Sequence, residues 1–297
     1  MPTASFLLTP NHSLQSPVLA ASGTLGFADT TEGLVDFAEV GAFVTPTLTV
    51  NPRLGNPMPR TVEVTGGLIH ATGLPNLGVE AFVEQDLPRL RKLPCPIIVS
   101  ICGETPEDWE QLGAMLERTE GVFALELNLT PLALHEEGFV QGAIPSESES
   151  LSRIRQALKA VRAQTRLPLI AKLPSVGIEI GLAAKTAVDT GADVIAVGQA
   201  FPAVAVRLSS RELRLPYVVG GLSGPAIKPL ALYQVWRVRQ SISAPIIGSG
   251  GIMSADDAEE FMIAGADAVA IGIASLVKPS TLANCAKRLR YSPQMSQ

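Results

Sequence analysis

The chain has 297 residues, 46% of them apolar, so it can bury a large core as one barrel or as two smaller domains. Its net charge of -5 and its lack of clustered Lys and Arg argue against nucleic-acid binding and favour a small-molecule ligand. Its three cysteines have neither metal-ligand spacing nor a disulfide framework, which indicates a reducing compartment, and we expect the cytoplasm.

A membrane location is not expected from the sequence. The first basic residue is Arg53, so the basic region of a signal peptide is absent from the start of the chain. No apolar run approaches the ~20 residues that a membrane-spanning helix needs. We therefore expect a protein that neither spans nor enters a membrane.

Short apolar segments alternate with amphipathic segments along the chain. The pattern predicts helices at residues 105–118, 151–164, 178–190 and 226–241, and another that begins at Ser254. Pro46 lies inside the second predicted strand and implies a bend there. The predicted strands are residues 17–21, 42–49, 95–101, 124–129, 167–173, 192–197, 245–248 and 268–271.

This alternation predicts an α/β fold. Strands joined by helices pair in parallel through right-handed crossovers, and eight such units close most naturally into a (β/α)₈ TIM barrel. The alternative, an open doubly wound sheet, would place a G-x-G-x-x-G motif after the first strand, and this chain has none there. Because no linker or shift in composition divides it, we expect residues 1–297 to form one domain.

Glycine turns follow the last two predicted strands. Gly250 and Gly251 end the seventh strand, and Gly272 ends the eighth. Neighbouring parallel strands that open into glycine turns present backbone N–H groups to one point, where an anion such as phosphate can bind. The alternative is that these glycines only tighten the turns. A long irregular connection at residues 66–76 is a further candidate for the binding site.

Two polar residues lie at the carboxyl ends of predicted strands. Lys172 interrupts an otherwise apolar strand, and a buried lysine is costly unless it meets an anion or a polar acceptor. A cofactor oxygen or ring nitrogen would satisfy it, and so would a barrel carboxylate such as Glu126. Asn128 ends its own strand and faces either a ligand or its own loop.

The candidate acid–base groups are few. His70, within the irregular connection, could donate to a ligand or act as a general acid or base, but loop histidines are often only solvated. His135 lies beside two glutamates in the loop after the fourth strand, where a solvated charged tract is the alternative. His12 has no supporting pattern. Cys102 has no assignable partner, so we expect it to be a small apolar wall residue.

Several segments together resemble the class 1 dihydroorotate dehydrogenases, the class 1B branch in particular, over nearly the whole chain. They are residues 21–26 (ASGTLG), Asn51-Pro52-Arg53, Gly55-Asn56-Pro57, 73–76 (GLPN), Glu126-Leu127-Asn128, Lys172-Leu173, 220–229, Gly250-Gly251-Ile252 and Gly272-Ile273-Ala274. The resemblance implies a barrel that carries FMN at its carboxyl-terminal face and oxidises dihydroorotate to orotate in pyrimidine biosynthesis by hydride transfer to the flavin. It also implies a homodimer and a separate iron-sulfur and FAD electron-transfer subunit.

The same resemblance implies cofactor-binding residues. Lys172 would contact the flavin ring, Ser223 and Gly224 would lie near it, and Gly250, Gly251 and Gly272 would hold its phosphate. The remaining implied cofactor contacts are Ala21, Ser22, Gly23, Asn128 and Gly221.

The substrate half departs from the family pattern. Where the family has Asn-Ile-Ser-Cys-Pro-Asn, with a cysteine base, this chain has residues 128–132 (NLTPL). Four other family positions, one lysine and three asparagines, correspond to Pro46, His70, Ser100 and the Gly198-Gln199 pair. We expect a replacement base from His70, His135 or Thr130. Three functions stay open: an FMN oxidoreductase, a flavin-binding barrel without turnover, and a barrel enzyme that uses a phosphorylated substrate and no flavin.

Overall fold

The computed structural model describes residues 5–29, 33–131, 145–216 and 219–291. Sixteen strands occur in the described ranges. They are β1 (Phe6–Thr9), β2 (His12–Leu14), β3 (Val18–Ala20), β4 (Ala42–Val44), β5 (Thr61–Val64), β6 (Gly67–His70), β7 (Ile97–Ile101), β8 (Val122–Asn128), β9 (Leu169–Lys172), β10 (Val194–Val197), β11 (Phe201–Ala203), β12 (Val206–Arg207), β13 (Glu212–Leu213), β14 (Gly220–Ser223), β15 (Ile246–Ser249) and β16 (Ala268–Ile271).

The helices follow the strands in alternation. None of those described is long and apolar enough to cross a bilayer. They are α1 (Val79–Ala81), a π-helical segment (Phe82–Asp86), α2 (Leu87–Leu90), α3 (Pro106–Glu117), α4 (Glu147–Gln164), α5 (Ile180–Asp189), a 3₁₀ turn (Pro225–Ile227), α6 (Lys228–Arg239), α7 (Ala255–Ile263), α8 (Ile273–Val277) and α9 (Thr281–Tyr291).

Eight strands form a closed parallel barrel in the order β3, β4, β7, β8, β9, β10, β15 and β16, with β16 pairing again with β3. These are the eight predicted strands, so the predicted (β/α)₈ barrel is confirmed. Their residues are nearly all buried because one face packs inside the barrel and the other against the helices. Ser254 caps α7 by accepting from the backbone N of Asp257, as the predicted capping pattern requires.

An apolar plug fills the amino-terminal half of the barrel. Inward-facing side chains of the strands pack with Phe6, Leu8 and Leu14 of the β1–β2 hairpin, which closes that end. The ring of His12 meets Phe123 edge-on at a centroid distance of 5.6 Å. The plug therefore leaves the carboxyl-terminal end as the open end of the barrel, where TIM barrels carry their active sites.

Two predicted elements differ from the structure. The second strand ends at Val44, well before residue 49, because Pro46 cannot donate a ladder hydrogen bond. The irregular connection expected at residues 66–76 contains strand β6. This strand pairs antiparallel with β14, and with β5 and β11 they form a four-stranded sheet. That sheet is built from the connections after β4 and β10, so it lies at the carboxyl-terminal end of the barrel.

Candidate active site

A polar layer lies directly above the apolar plug. In β7, β8 and β9 the inward-facing residues of the plug are Ile98, Ala124 and Ile170. Alternate residues of a strand face the same side, so the next inward positions, two residues further on, are Ser100, Glu126 and Lys172. Along these strands the inward-facing side chains therefore change from apolar in the plug to polar or charged near the carboxyl-terminal end.

Lys172 is paired with Glu126 inside this layer. Its Nζ lies 3.3 Å from Glu126 Oε1, and the two side chains are 18% and 6% exposed. The hydroxyl of Ser100 donates to the same carboxylate oxygen at 3.0 Å. Of the two partners expected for Lys172, the structure contains the barrel carboxylate, and the lysine side chain is more exposed than its partner.

Amide and hydroxyl groups extend the polar layer towards β10. Thr47 Oγ1 lies 3.0 Å from Ser100 Oγ and accepts from Asn128 Nδ2 at 3.4 Å. Gln199 Nε2 donates to Asn128 Oδ1 at 3.0 Å, and Thr130 Oγ1 donates to Gln199 Oε1 at 2.5 Å. Asn128 and Thr130 therefore belong to one hydrogen-bonded network. Such a network can match a ligand rich in N–H and C=O groups.

The glycine turns after β15, β16 and β3 are neighbours. Gly250 and Gly251 have φ values of +104° and +79°, a backbone conformation that favours glycine. A Cβ on Gly251 would lie 2.7 Å from the backbone N of Lys228. On the other side, Ala21 N donates to Ile271 O at 3.0 Å, and a Cβ on Gly272 would lie 3.8 Å from Ala21 Cβ. The Gly251 turn is crowded, whereas Gly272 makes only ordinary contacts. Together the neighbouring turns form a cradle in which backbone N–H groups could bind an anion.

The first turn of this cradle is open. Ser22 and Gly23 follow Ala21 directly, and Gly23 has a φ of +85° with no atom within 4 Å of where its Cβ would be. The hydroxyl of Thr24 donates to Ala21 O at 3.2 Å. The predicted site residues of the first strand therefore stand beside open space next to the glycine turn of β16.

His70 lies in strand β6, so its expected place in an irregular loop was wrong. Its Nε2 is 3.1 Å from the hydroxyl of Ser223 on the neighbouring strand β14. A Cβ on Gly221 would come within 3.3 Å of the His70 ring, so the absence of a side chain there makes room for the imidazole. Burial lowers the pKa of His70 below its usual 6.5, so the ring is neutral at pH 7.

Gly224 ends β14 in a conformation available to glycine. Its φ is +112°, and a Cβ would lie 2.7 Å from the Cα of Gly67 on strand β6. Because Gly224 has no side chain, the two backbones can lie close together where the chain passes from Ser223 into the 3₁₀ turn before α6. The pairing of β6 with β14 thus brings Gly221, Ser223 and the following Gly224 close to His70, which is distant from them in the sequence.

Two clefts flank Thr130 at the rim of the barrel. The first, about 440 Å³ including its open mouth, is lined by residues that follow β8, β9 and β10, among them Thr130, Ser175 and Gln199. The second also contains Asn128 and Glu104. Arg153 of α4 lines both. His135 lies outside the described residues.

Cys102, expected from the sequence to be a small apolar wall residue, lies beside Thr130. It is buried, and its thiol lies 3.8 Å from Thr130 O. Burial raises its pKa to about 12, so it remains a thiol at neutral pH. The described residues contain no group of three His, Cys, Asp or Glu side chains suited to a metal ion.

Sequence reasoning missed Thr47 and Arg153. Thr47 follows Pro46, which hid the alternation that would have marked it as inward-facing. Arg153 lies among the charged residues of an amphipathic helix, where one arginine facing a cleft has no distinguishing pattern. Sequence alone also left open whether Asn128 faces a ligand or its own loop. In the structure its side chain belongs to the hydrogen-bonded network and also accepts from Thr130 N at 3.3 Å.

A barrel with a charged layer, an amide network and glycine turns at the carboxyl ends of its strands defines the class of TIM-barrel enzymes. A family model described as Dihydroorotate dehydrogenase matches residues 7–289. The chain therefore belongs to the dihydroorotate dehydrogenase family, a family of oxidoreductases, and the resemblance found in the sequence is confirmed.

Similar proteins carry the name "Dihydroorotate dehydrogenase B (NAD(+)), catalytic subunit". The protein from Desulforudis audaxviator is 43% identical over 277 residues, which cover 93% of this chain and 88% of the relative. The protein from Pelobacter propionicus is 41% identical over 90% of this chain and 86% of its own length. The protein from Thermodesulfovibrio yellowstonii is 39% identical over 91% of this chain and 87% of its own length.

Proposed function

We propose that this chain is an FMN-dependent oxidoreductase that converts dihydroorotate to orotate, a step of pyrimidine biosynthesis. The proposal is supported by relatives that are named dihydroorotate dehydrogenases. The observation that carries the proposal is the arrangement, in a member of this family, of Lys172 and the Gly250, Gly251 and Gly272 turns at one end of the barrel. Dehydrogenation removes a proton and a hydride from adjacent carbons, so the site needs a base as well as a hydride acceptor.

The residues at this end fit FMN. The cradle of Gly250, Gly251 and Gly272 would hold its phosphate, because a side chain on Gly251 would collide with the backbone of Lys228. Lys172 would face the ring system with its part-exposed ammonium. Ala21, Ser22, Gly23, Asn128, Gly221, Ser223 and Gly224 would complete the binding site. FMN, when bound, supplies the acceptor for the hydride.

His70 is the base that the geometry favours. Its lowered pKa keeps the imidazole unprotonated at neutral pH, and contact with Ser223 holds the ring in one orientation. Thr130 is a weaker candidate, since its hydroxyl already donates to Gln199 and has no basic partner among the described residues. His135 remains a candidate from sequence. Cys102 cannot serve, because its thiol is buried and protonated.

The names of the relatives support a proposal for the electron acceptor. The relatives are named as catalytic subunits, and their names include NAD(+). We propose that this chain likewise passes electrons to a second subunit, which carries an iron-sulfur centre and FAD. We further propose that a homodimer of this chain forms the core of that assembly. The three cysteines are free and buried, which suits a reducing compartment, and we propose the cytoplasm.

A flavin-binding barrel without turnover is the second candidate. It is favoured by residues 128–132, which lack a cysteine, and by the Glu126 carboxylate that already neutralises Lys172. A barrel enzyme that binds a phosphorylated substrate through the glycine turns alone is the third. The three candidates differ in colour and in turnover.

The purified protein separates them. We expect a yellow protein with bound FMN that reduces an artificial dye when dihydroorotate is added, and a Lys172→Ala variant that loses FMN. Lys185→Ala, an exposed lysine on α5, is the matched control and should change neither property. A yellow protein without dye reduction would indicate the barrel without turnover, and a colourless protein that takes up no FMN would overturn both flavin functions.

A further inference from the structure

Glu126 is the deeper member of its ion pair with Lys172. Asn128 of β8 lies opposite Lys172 of β9, and Glu126 lies opposite Ile170. Lys172 is therefore two residues nearer to the carboxyl-terminal end of the barrel than its partner. Within the described ranges Glu126 is the only ion-pair partner of Lys172, with Oε1 at 3.3 Å from Nζ. The carboxylate thus approaches the lysine from the side of the apolar plug.

A row of hydrogen bonds across the barrel points towards this carboxylate. Ser100 donates its only hydroxyl proton to Oε1 at 3.0 Å, so the 3.0 Å contact between Ser100 and Thr47 is a donation from Thr47. Thr47 in turn accepts from the amide of Asn128 at 3.4 Å. The next two donors in the row are Gln199 and Thr130. Because each donor in the row is committed to its neighbour, the row fixes the carboxylate at its end.

The charge of the pair matters when a flavin is reduced. Oxidation of dihydroorotate sends a hydride, with two electrons and one proton, to the flavin and the second proton to the base. The flavin therefore gains one negative charge until another proton reaches it. A lone ammonium beside the ring would favour this charge, whereas an ammonium neutralised by a carboxylate favours it less. A carboxylate paired with Lys172 therefore lowers the reduction potential of a flavin that lies against the lysine.

We propose that Glu126 is a positioning residue that acts through Lys172: it fixes the ammonium beside the flavin ring and lowers the reduction potential of bound FMN. This assignment rests on the proposed function, since it requires FMN against Lys172. A lower potential makes the reduced flavin a stronger electron donor to a second redox centre, which is the direction of transfer in the proposed assembly.

The potential of the bound FMN tests the proposal without turnover. It is measured by stepwise anaerobic reduction with dithionite beside a reference dye, for the wild type, Glu126→Gln, Glu126→Asp and the control Glu110→Gln, an exposed position on α3. We expect Glu126→Gln to favour reduced FMN about tenfold or more, a rise of about 30 mV for a two-electron couple. Glu126→Asp keeps the charge on a shorter side chain, so its potential should lie between those of Glu126→Gln and the wild type. Glu110→Gln should match the wild type.

The flavin absorbance of each variant shows that FMN is bound. An unchanged or lower potential in Glu126→Gln would show that the role of Glu126 is wrong, and the proposed function would stand. A potential in Glu126→Asp as high as in Glu126→Gln would also contradict it, because the effect would then be one of shape and not of charge. If Glu126→Gln does not retain FMN, Glu126→Asp must still lie above the wild type, and an equal potential would overturn the inference. If the wild type takes up no FMN, the proposed function fails and this inference fails with it.

Discussion

His70 combines three properties that a general base needs. Its imidazole is neutral at pH 7, since burial lowers its pKa below 6.5; it contacts Ser223; and it lies on the sheet at the open end of the barrel. Between the folded-state pKa and 6.5 the unfolded chain binds more protons at this position. Stability from His70 is therefore present above pH 6.5 and is lost as the pH falls through the folded-state pKa.

Replacement of His70 tests its role. We expect kcat/KM of the wild type to stay level from pH 7 to below 6.5 and to fall only when the imidazole is protonated. His70→Asn, which removes the base, should lower kcat about 10²- to 10⁴-fold and abolish that acidic limb while FMN stays bound. Steady-state rates across pH 5–8 measure both effects. An acidic limb that survives in His70→Asn would show that another group is the base.

At the scale of single residues, the sequence predicted which polar side chains lie at strand ends better than it predicted which residues they contact. Lys172 and Asn128 were expected at strand ends because each interrupts or terminates a buried run, and both lie in the polar layer. The contact between His70 and Ser223 joins residues 153 positions apart, so it depends on the pairing of β6 with β14. Local sequence patterns carry no information on such a distant pairing.

At the scale of elements, two glycine turns show that a positive φ can occur with or without a neighbouring ligand site. Gly251 has a φ of +79°, and its missing Cβ leaves space beside Lys228. Gly191, before strand β10 at the opposite end of the barrel, has a φ of +112°, but a Cβ there would meet Arg162 at an ordinary 3.5 Å. Both positions favour glycine, and only one adjoins the proposed phosphate site.

Alanine substitutions exploit this difference. Gly191→Ala should lower the free energy of unfolding by about 1–2 kcal/mol, the cost of a positive φ for a residue with a Cβ. Gly251→Ala should lower it further, because its methyl group would also lie 2.7 Å from the backbone N of Lys228. Only Gly251→Ala should also weaken FMN binding, by about tenfold or more, because its methyl group would shift the backbone N–H groups of the cradle away from the phosphate. Urea unfolding and fluorescence titration with FMN measure the two effects. Equal FMN affinity in both variants would contradict the assignment of the cradle.

Elements with strong periodicity were predictable, and glycine-rich ones were not. The barrel strands are continuous apolar runs because they are buried on both faces. By contrast, β14 has the sequence Gly-Gly-Leu-Ser, which lacks the β-branched residues typical of strands. It forms a strand only because β6 and β11 pair with it on either side.

At the scale of the whole molecule, stability and chemistry are assigned to opposite ends of the barrel. Gly-Ala-Asp occurs before both β10 and β16: Asp193 accepts from Leu169 N and Asp267 from Ile246 N, each at 2.8 Å. Each aspartate also pairs with an arginine of a preceding helix, Arg162 or Arg239. These repeated contacts tie helices to strands at the amino-terminal end and leave the other end free for the polar layer and the glycine turns.

The most direct test of the proposed reaction is an anaerobic titration of the purified, FMN-loaded chain with dihydroorotate, followed by the visible absorbance of the flavin. We predict that one equivalent of dihydroorotate bleaches the flavin band and that one equivalent of orotate is formed, with a slower or absent response in His70→Asn. A flavin that dithionite reduces but dihydroorotate leaves yellow would contradict the proposed reaction.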